Sequence, residues 1–362
     1  MKVLILTNND VGLFKFRKEL LEALLKKYEV YLSLPYGPYV EQMVQMGCQY
    51  IETDFDRGGK NIFADLSLLS HYKKIIKELH PSVVLTYTVK PNVYGGMAAA
   101  SMGIPQIANV TGLGTVVEER GPLRYLVLGL YRLGLRKAHM IFFQNERNQN
   151  FMLDHHIVGK RNALLPGSGV NLEEHHFEPY PQESENIVFL TICRILRVKG
   201  IDELLTAAEK VRKEHPNVRF QIIGPYEDDY REKIEAAVEK EVVEYLGPQK
   251  DVKPFIQRSH CMVHPAYHEG MSNVLLESLS TGRPVIATDV PGCIETFEPG
   301  VSGFACKARD AEDLVAAIQK FIALPYEEKA AMGRAGRKRM EEIFDRRIIV
   351  RKYLEEIEKL AK

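Results

Sequence analysis

The sequence has few cysteines, no excess of either charge and no long uninterrupted apolar run. Its five cysteines are an odd number, widely spaced, with no CxxC pair and no cluster with histidine. Such a pattern predicts reduced core residues in a reducing compartment and argues against a zinc site. Lysine plus arginine and aspartate plus glutamate both number 48. This balance argues against a dedicated nucleic-acid-binding protein, so no nucleic-acid partner is expected.

The most apolar stretch of the chain, residues 123–143, is interrupted by Arg124, Arg132, Arg136 and Lys137. It is therefore not expected to span a bilayer. Two interpretations of it stay open, a helix and strand that are simply buried, or an element that rests on a membrane surface. The apolar run at the start of the chain is too short for a secretory signal and predicts a first β-strand.

The length of 362 residues predicts two domains. Apolar β-like runs alternate with helix-like segments up to about residue 165 and again from about residue 187. This alternation predicts βαβ units and mostly parallel sheets covered on both faces. Residues 166–186, which are rich in glycine, proline and charge, predict an interdomain linker and the approach to the second domain. We expect two doubly wound α/β domains, 1–167 and 168–345, whose strands end on a shared cleft.

Residues 264–289 read as a buried strand, a loop, a helix and a second strand. Ser272 and Asn273 suit a helix N-cap, which places the loop just ahead of a helix N-terminus. Unpaired N–H groups there favour a phosphate or a carboxylate. Glu269 in the loop and Glu277 one turn into the helix can each bind hydroxyl groups, so the pattern suggests a sugar nucleotide. The alternative is a solvent-facing helix start with two surface glutamates.

A basic loop follows the predicted strand 187–193. Arg194 and Lys199 lie there, just before a helix with apolar residues at helical spacing. Guanidinium and ammonium groups can bind a diphosphate. Each charge-assisted hydrogen bond contributes about 1.5–3 kcal/mol to the binding free energy. The alternative is a basic loop that is paired with surface acids.

In the first half of the chain, residues 8–12, 88–92 and 109–114 link predicted strands to the elements that follow them. A glycine-containing turn followed by basic residues suits donor phosphates or an anionic acceptor. Asp54 and Asp56 have the spacing of a metal-binding DxD motif, but they end an early strand. We interpret that spacing as a coincidence and predict no metal.

The E-x7-E spacing of Glu269 and Glu277, together with Arg194, Lys199 and the phrase FRKEL, resembles the retaining glycosyltransferases of family 4. The resemblance covers nearly the whole chain, and it points to the branch that builds bacterial surface glycans on polyprenyl diphosphate carriers. It implies the GT-B fold, with two Rossmann-like domains facing across a cleft and a C-terminal helix, 346–362, that packs back on the first domain.

The resemblance also implies a reaction. A hexose or N-acetylhexosamine would pass from a nucleotide-sugar donor, expected to be UDP-linked, to a polyprenyl-diphosphate-linked glycan, without metal or cofactor. The enzyme would be cytoplasmic and peripheral, at the cytoplasmic face of the inner membrane. Two alternatives stay open, a sugar-nucleotide epimerase of the same architecture and a non-catalytic two-domain sugar-binding protein.

The resemblance assigns roles to particular residues. Glu269 would contact the donor sugar and Glu277 the ribose, while Arg194 and Lys199 would stabilise the departing diphosphate; Glu269, Arg194 and Lys199 are the catalytic candidates. The further donor-binding candidates are Gly12, Gly247, Pro248, His268, Gly270, Met271, Ser272 and Asn273, and the acceptor-binding candidates are Lys15, Arg17, Lys90, Gly112 and Gly114.

Two histidine positions qualify these assignments. Many members of the family carry a histidine where this chain has Val89, so no catalytic histidine is assigned there. His268 lies either near the reacting sugar or in a purely structural hydrogen bond.

Overall fold

The computed structural model describes residues 1–53, 62–113, 121–158, 161–182 and 186–361. The chain divides into two compact units, which we call unit 1 (Met1–Ser168 with Arg346–Lys362) and unit 2 (Gly169–Asp345). Asp54, Asp56 and Gly114, which the sequence analysis singled out, lie outside the described residues.

Unit 1 is built on a parallel sheet that shows seven strands within the described ranges, in the order β3-β2-β1-β4-β5-β6-β7. The strands are β1 Lys2–Leu6, β2 Glu29–Leu34, β3 Gln49–Glu52, β4 Val83–Tyr87, β5 Gln106–Val110, β6 Met140–Phe143 and β7 Asn162–Leu164. The helices are α1 Asp10–Leu25, α2 Val40–Gln45, α3 Ile62–Leu79, α4 Gly96–Ser101 after a π-helical turn Pro91–Gly95, α5 Pro122–Leu135, α6 Glu146–Asp154 and the C-terminal helix Arg346–Leu360.

Successive side chains along the strands of unit 1 alternate between the two faces of its sheet, and each face has its own hydrophobic core. Val3 and Ile5 of β1 join the core that contains α1 and the C-terminal helix, whereas Leu4 and Leu6 join the core that contains α3, α4 and α5. Successive side chains of a strand point to opposite faces, so a strand buried on both faces reads as a continuous apolar run. This is why the parallel strands could be predicted from the sequence.

The C-terminal helix is part of unit 1 through both apolar and polar contacts. Tyr353 is buried, its ring lies 4.9 Å from that of Phe142, and its hydroxyl accepts a hydrogen bond of 2.6 Å from Asn109 Nδ2. At the start of the helix, Arg346 donates to both carboxylate oxygens of Glu19, at 2.9 and 3.0 Å. Residues far apart in the chain therefore share one core.

Helix α5 and strand β6 occupy the apolar stretch 123–143. The helix buries Leu128, Tyr131 and Leu135 in the core of unit 1. Its other side leaves Tyr125 75% and Leu126 52% exposed. None of the described helices combines the length and the apolarity that crossing a membrane requires.

Unit 2 repeats the architecture with a parallel sheet that shows six strands among the described residues, in the order β10-β9-β8-β11-β12-β13. They are β8 Ile187–Ile192, β9 Val218–Ile223, β10 Glu244–Tyr245, β11 Cys261–His264, β12 Val285–Thr288 and β13 Gly303–Cys306. The helices are α7 Ile201–Glu214, α8 Arg231–Glu239, α9 Lys253–Arg258, α10 Asn273–Ser280, α11 Ala311–Ile322 and α12 Tyr326–Arg339, with 3₁₀ turns at Arg197–Lys199 and Ile294–Thr296 and a π-helical turn at Met340–Phe344. The predicted fold class, α/β with two doubly wound parallel sheets, is confirmed.

From Gly169 onward, the segment that was predicted to be a linker belongs to unit 2, and Arg283, which is 1% exposed, holds it to the rest of that unit. Its guanidinium donates to the carbonyls of Glu178 (2.9 Å), Pro179 (3.0 Å) and Gln257 (2.6 Å). Burial lowers the pKa of Arg283 to about 10, so the side chain remains charged at neutral pH. One buried cation thus ties the segment to α9 and to the end of α10.

We expect Arg283→Met to destabilise unit 2 by about 3 kcal/mol or more, because it leaves several carbonyls around a buried side chain without their donor. Urea unfolding, followed by circular dichroism, measures this loss. Arg258→Met is the matched control, since Arg258 is exposed on α9, and it should change stability by less than about 0.5 kcal/mol. Equal stability of the two variants would contradict the role given to Arg283.

Candidate functional site

Strand order in unit 2 brings two loops together at the carboxyl ends of the strands. The order reverses between β8 and β11, which pair directly through Phe189 with Cys261 and Leu190 with Met262. Ligands of open α/β sheets bind at such a switch point. The loop after β8 carries Arg194 and Lys199, and the loop after β11 carries Glu269. Residues far apart in sequence therefore converge at one edge of the sheet.

A largely buried polar cluster lies at these carboxyl ends of the strands and consists of Lys199, His264 and Glu269. Lys199 Nζ and His264 Nε2 both contact the same carboxylate oxygen of Glu269, Oε1, and the histidine contact is 2.9 Å long. The side chains of Lys199, His264 and Glu269 are 13%, 3% and 17% exposed. Glu269 is thus not a surface glutamate. Among the described residues, no hydrogen bond reaches its other oxygen, Oε2.

Two glycines with positive φ allow the loops to close around Glu269. Gly200 has φ +71°, and a Cβ there would lie 2.1 Å from the carbonyl oxygen of Pro265. Gly292 has φ +83°, and a Cβ there would lie 2.4 Å from the carbonyl oxygen of Glu269. Only glycine tolerates this combination of backbone angle and close approach. The Gly292 carbonyl also accepts from the Ser272 N–H at 2.7 Å, which fixes the far end of the loop.

Glu269 is held in its ionised form. Burial alone would raise the pKa of its carboxyl group, but the hydrogen bond from His264 and the charge of Lys199 outweigh burial and lower the pKa to about 2. A carboxylate in this state accepts hydrogen bonds and favours nearby positive charge. The cluster can therefore bind a sugar hydroxyl or stabilise positive charge that develops during bond cleavage.

Helix α10 presents unpaired polar atoms at its N-terminus. Ser272 is the N-cap, yet its side chain makes no capping hydrogen bond, and its Oγ is buried without a partner among the described residues. Asn273 Oδ1 is likewise buried and unpaired there. Buried polar atoms without partners are uncommon in native proteins, and a ligand is one way to satisfy them. These two atoms lie where the sequence predicted donor binding.

The other donor-side candidates lie on the loop before this helix, on the helix itself and after strand β10. Met271 is 7% exposed, whereas His268, Gly270 and Glu277 are partly exposed. Gly247 has φ +68° with open space where a Cβ would be, and Pro248 after it is exposed. The structure therefore brings 268–273 together with Glu277 on one loop and helix, and it places 247–248 after β10.

Arg194, in the loop after β8, lies at the solvent-exposed margin of the candidate site. Its side chain is 58% exposed and its Nη1 donates to Glu227 Oε2 at 2.7 Å. An exposed pair of this kind contributes little to stability, so the guanidinium can leave Glu227 for a stronger anion at small cost. Of the two cations assigned to the diphosphate, Lys199 is buried in the cluster and Arg194 is accessible.

The acceptor candidates of unit 1 are more dispersed. Lys15 is exposed on α1, while Arg17 is 4% exposed and its guanidinium lies 5.4 Å from the ring of Tyr87 and 5.9 Å from that of Tyr353. Lys90 pairs with Asp65 at 2.9 Å. A Cβ added at Gly112 would meet no heavy atom of the described residues within 4 Å. In this conformation Lys15 is the most accessible of these cations.

Gly12, a donor candidate, lies inside helix α1 rather than in the turn before it. The helix begins at Asp10, within the segment 8–12 that was predicted to link strand and helix, because Asn9 caps it and Asn9 Oδ1 accepts from the Gly12 N–H at 2.6 Å. The amide of Gly12 is thus committed to the cap. A ligand could approach Gly12 only because it lacks a side chain.

The sequence analysis missed His264. It ends a strand whose other residues, Cys261, Met262 and Val263, are all buried, and it was read simply as part of that apolar run. A signal was nevertheless present, because a histidine at the carboxyl end of a central strand, five residues before Glu269, lies within reach of the loop that follows.

Glu269→Gln should alter the acid stability of the protein. The folded-state pKa of about 2 lies below the usual 4.5, so the stabilisation is fully present above pH 4.5 and is lost as the pH falls toward 2. The advantage of the wild type over the variant should shrink by about 1 kcal/mol between pH 6 and pH 3.5. Urea unfolding across this range tests it. The exposed control Glu298→Gln should show no such change, and a pH-independent difference for Glu269→Gln would contradict the prediction.

Comparison with known proteins identifies the family. A family model described as glycosyl transferase 4-like matches residues 2–145, and one described as glycosyl transferases group 1 matches residues 173–339. The chain is 26% identical, over 100% of both sequences, to the N,N'-diacetylbacillosaminyl-diphospho-undecaprenol alpha-1,3-N-acetylgalactosaminyltransferase of Campylobacter jejuni.

Solved structures show the same fold. Sucrose-phosphate synthase from Thermosynechococcus elongatus superimposes with a TM-score of 0.82 at 20% identity, over 100% of this chain and 99% of that one. Anabaena HepE in complex with UDP-glucose gives 0.81 at 17% identity, over 99% and 100%. The predictions of fold and enzyme class are confirmed, and the chain belongs to the glycosyltransferases of the GT-B fold, with a 4-like domain followed by a group 1 domain.

Proposed function

We propose that this glycosyltransferase transfers a hexose or N-acetylhexosamine from a UDP-sugar to a glycan on a polyprenyl diphosphate carrier, with retention of anomeric configuration. The observation that carries the proposal is the ionised, anchored carboxylate of Glu269 at the switch point of unit 2. The full-length similarity to an enzyme whose name specifies a diphospho-undecaprenol acceptor supports the choice of acceptor.

Glu269 serves the sugar end of the donor. Its Oε1 is occupied by Lys199 and His264, and its Oε2 receives no hydrogen bond from the described residues. A sugar hydroxyl can donate to Oε2, and the fixed negative charge can stabilise the oxocarbenium character that develops at the anomeric carbon. The carboxylate is preorganised for this role because its position is set before the donor arrives.

The diphosphate end is served by cations and by the start of α10. Lys199 is adjacent to Glu269, Arg194 is accessible at the rim, and the N-terminus of α10 contributes partial positive charge. Negative charge grows on the leaving nucleoside diphosphate as the glycosidic bond breaks, and these groups stabilise it. Ser272 Oγ, which is buried and unpaired among the described residues, can donate a hydrogen bond to a phosphate oxygen at the same place, whereas Asn273 Oδ1 only accepts and would pair with a hydroxyl group of the donor.

The nucleotide is proposed to be UDP, and Glu277 is proposed to bind its ribose. HepE, which shares the fold, was solved in complex with UDP-glucose. Glu277 lies on α10, one turn from the N-terminus that would receive the phosphates. Gly247 and Pro248 would contact the base through backbone groups, and Gly12 of unit 1 remains a donor candidate.

The acceptor is proposed to contact unit 1, where Lys15 is exposed on α1. Arg17, two residues further along the same helix, is buried over the rings of Tyr87 and Tyr353. A carrier diphosphate would be attracted by Lys15. Lys90 would contribute by exchanging Asp65 for phosphate, and Gly112 stays an acceptor candidate.

A donor panel tests the reaction. The purified protein is incubated with UDP-, GDP- and ADP-sugars and a polyprenyl diphosphate sugar, and nucleotide release and lipid product are measured. One UDP-sugar should support acceptor-dependent release. Glu269→Ala should lower kcat/KM by about a hundredfold or more, and Arg194→Ala by about ten- to a hundredfold, as expected for lost charge stabilisation.

The matched control for Arg194→Ala is Arg219→Ala. Arg219 makes a similar exposed ion pair, with Glu244, and its side chain is 53% exposed, but it lies at the amino end of β9. It should retain wild-type activity. Epimerised donor without acceptor would identify an epimerase instead, binding without turnover would identify a sugar-binding protein, and an inverted anomeric product by NMR would contradict retention.

We also propose that unit 1 rests on the membrane that holds the acceptor, through the outer face of α5. This face exposes Leu123, Tyr125, Leu126 and Leu133, by 37%, 75%, 52% and 49%. Arg136 and Lys137, exposed just after the helix, add positive charge next to these apolar side chains. Apolar side chains flanked by basic ones favour an anionic lipid surface.

Replacing Tyr125 and Leu126 together by serine should weaken binding to vesicles that contain anionic phospholipid by about tenfold or more, since burial of two large apolar side chains is lost. Flotation of the protein with vesicles measures the effect. The control replaces Leu66 and Val44, which are 56% and 45% exposed elsewhere on unit 1, by serine. Equal binding of both double variants and the wild type would contradict this contact.

A further inference from the structure

His264 is a buried histidine whose polar contact is with the carboxylate of Glu269. It ends β11, its side chain is 3% exposed, and its Nε2 lies 2.9 Å from Glu269 Oε1. Its other ring nitrogen, Nδ1, is buried without a partner among the described residues. Burying an imidazole nitrogen without a hydrogen bond carries a free-energy cost. An apolar residue would fill this strand position without that cost, so the contact with Glu269 is the feature that distinguishes His264.

The chemistry of the pair determines which nitrogen carries the proton. An ionised carboxylate only accepts hydrogen bonds, so Nε2 must be the donor to Oε1. The imidazole is also rigid and enclosed, since it ends a central strand that pairs with β8 and β12. The direction of this hydrogen bond and the position of its donor are therefore set by the fold.

Lys199, the second donor to Oε1, is a different kind of anchor. Its ammonium sits on a flexible four-carbon stem, and a donor diphosphate would compete with Glu269 for it. His264 has no such competing role, because it is buried and its side chain makes its polar contact among the described residues with Glu269. When the diphosphate attracts Lys199, the hydrogen bond from His264 still holds the carboxylate.

We propose that His264 is a positioning residue, which holds Glu269 by Oε1 so that Oε2 points toward a hydroxyl of the donor sugar. This role rests on the proposed function, because it assumes that Glu269 contacts the sugar. His264 itself does not touch the substrate. Its effect is to keep the carboxylate in one orientation throughout donor binding and bond cleavage.

Two substitutions separate positioning from packing. His264→Leu replaces the donor by an apolar side chain of similar size, so the packing is kept but the hydrogen bond that stabilises ionised Glu269 is lost, and a modestly lower Tm is expected. His264→Gln keeps an N–H donor at about the position of Nε2. We expect the leucine variant to lose about ten- to a hundredfold in kcat and the glutamine variant to recover to within about fivefold of the wild type.

Binding of UDP and of the UDP-sugar that the wild type uses provides a second readout, measured by calorimetry. UDP lacks the sugar, so its Kd should change by less than about twofold in His264→Leu, whereas the affinity for the UDP-sugar should fall toward that for UDP. A packing defect would weaken the binding of both ligands together, and the glutamine variant would not restore the affinity for the UDP-sugar.

Three results would overturn the inference: a leucine variant with kcat within about threefold of the wild type, leucine and glutamine variants with equal losses, or equal weakening of UDP and UDP-sugar binding. Glu269→Gln, assayed alongside, keeps this separate from the proposed function. If Glu269→Gln is inactive while His264→Leu is fully active, only the role of His264 fails. If Glu269→Gln is itself fully active, the proposed function of Glu269 fails.

Discussion

A buried carboxylate needs donors that replace water, and the site of unit 2 is organised around that requirement. Glu269 meets it with Lys199 and His264, which contact one oxygen and hold the group ionised. The close approach of the loops depends on Gly200 and Gly292, whose positions leave no room for a side chain. Strand order supplies the rest, because the switch between β8 and β11 brings the contributing loops together.

The same arrangement links the two ends of the proposed donor. Lys199 touches the carboxylate assigned to the sugar, and it is also a cation assigned to the diphosphate. In the proposed reaction, movement of negative charge onto the leaving nucleoside diphosphate would therefore be coupled to the carboxylate that is proposed to lie beside the anomeric carbon. Arg194, exposed and only weakly held by Glu227, can follow the diphosphate without disturbing this cluster.

The fold could be predicted from the sequence because parallel strands buried on both faces are continuous apolar runs, and because helix caps such as Ser272 are local signals. The E-x7-E spacing likewise pointed to the loop in which Glu269 contacts Lys199 and His264, and the chemical role of that loop stays a prediction. Contacts between distant residues could not be predicted this way. The pairing of Lys199 with Glu269, the binding of three carbonyls by Arg283 and the pairing of Lys90 with Asp65 all depend on tertiary proximity. His264 was overlooked for the same reason, since its partner becomes evident only once the loop is folded.

The most direct test of the central role of Glu269 is a crystal structure of the protein with an intact UDP-sugar, obtained without acceptor. The account predicts that Glu269 Oε2 lies within hydrogen-bonding distance, about 2.5–3.2 Å, of a sugar hydroxyl while His264 still contacts Oε1. A sugar that lies away from Glu269, or a carboxylate that has left His264 on donor binding, would contradict it.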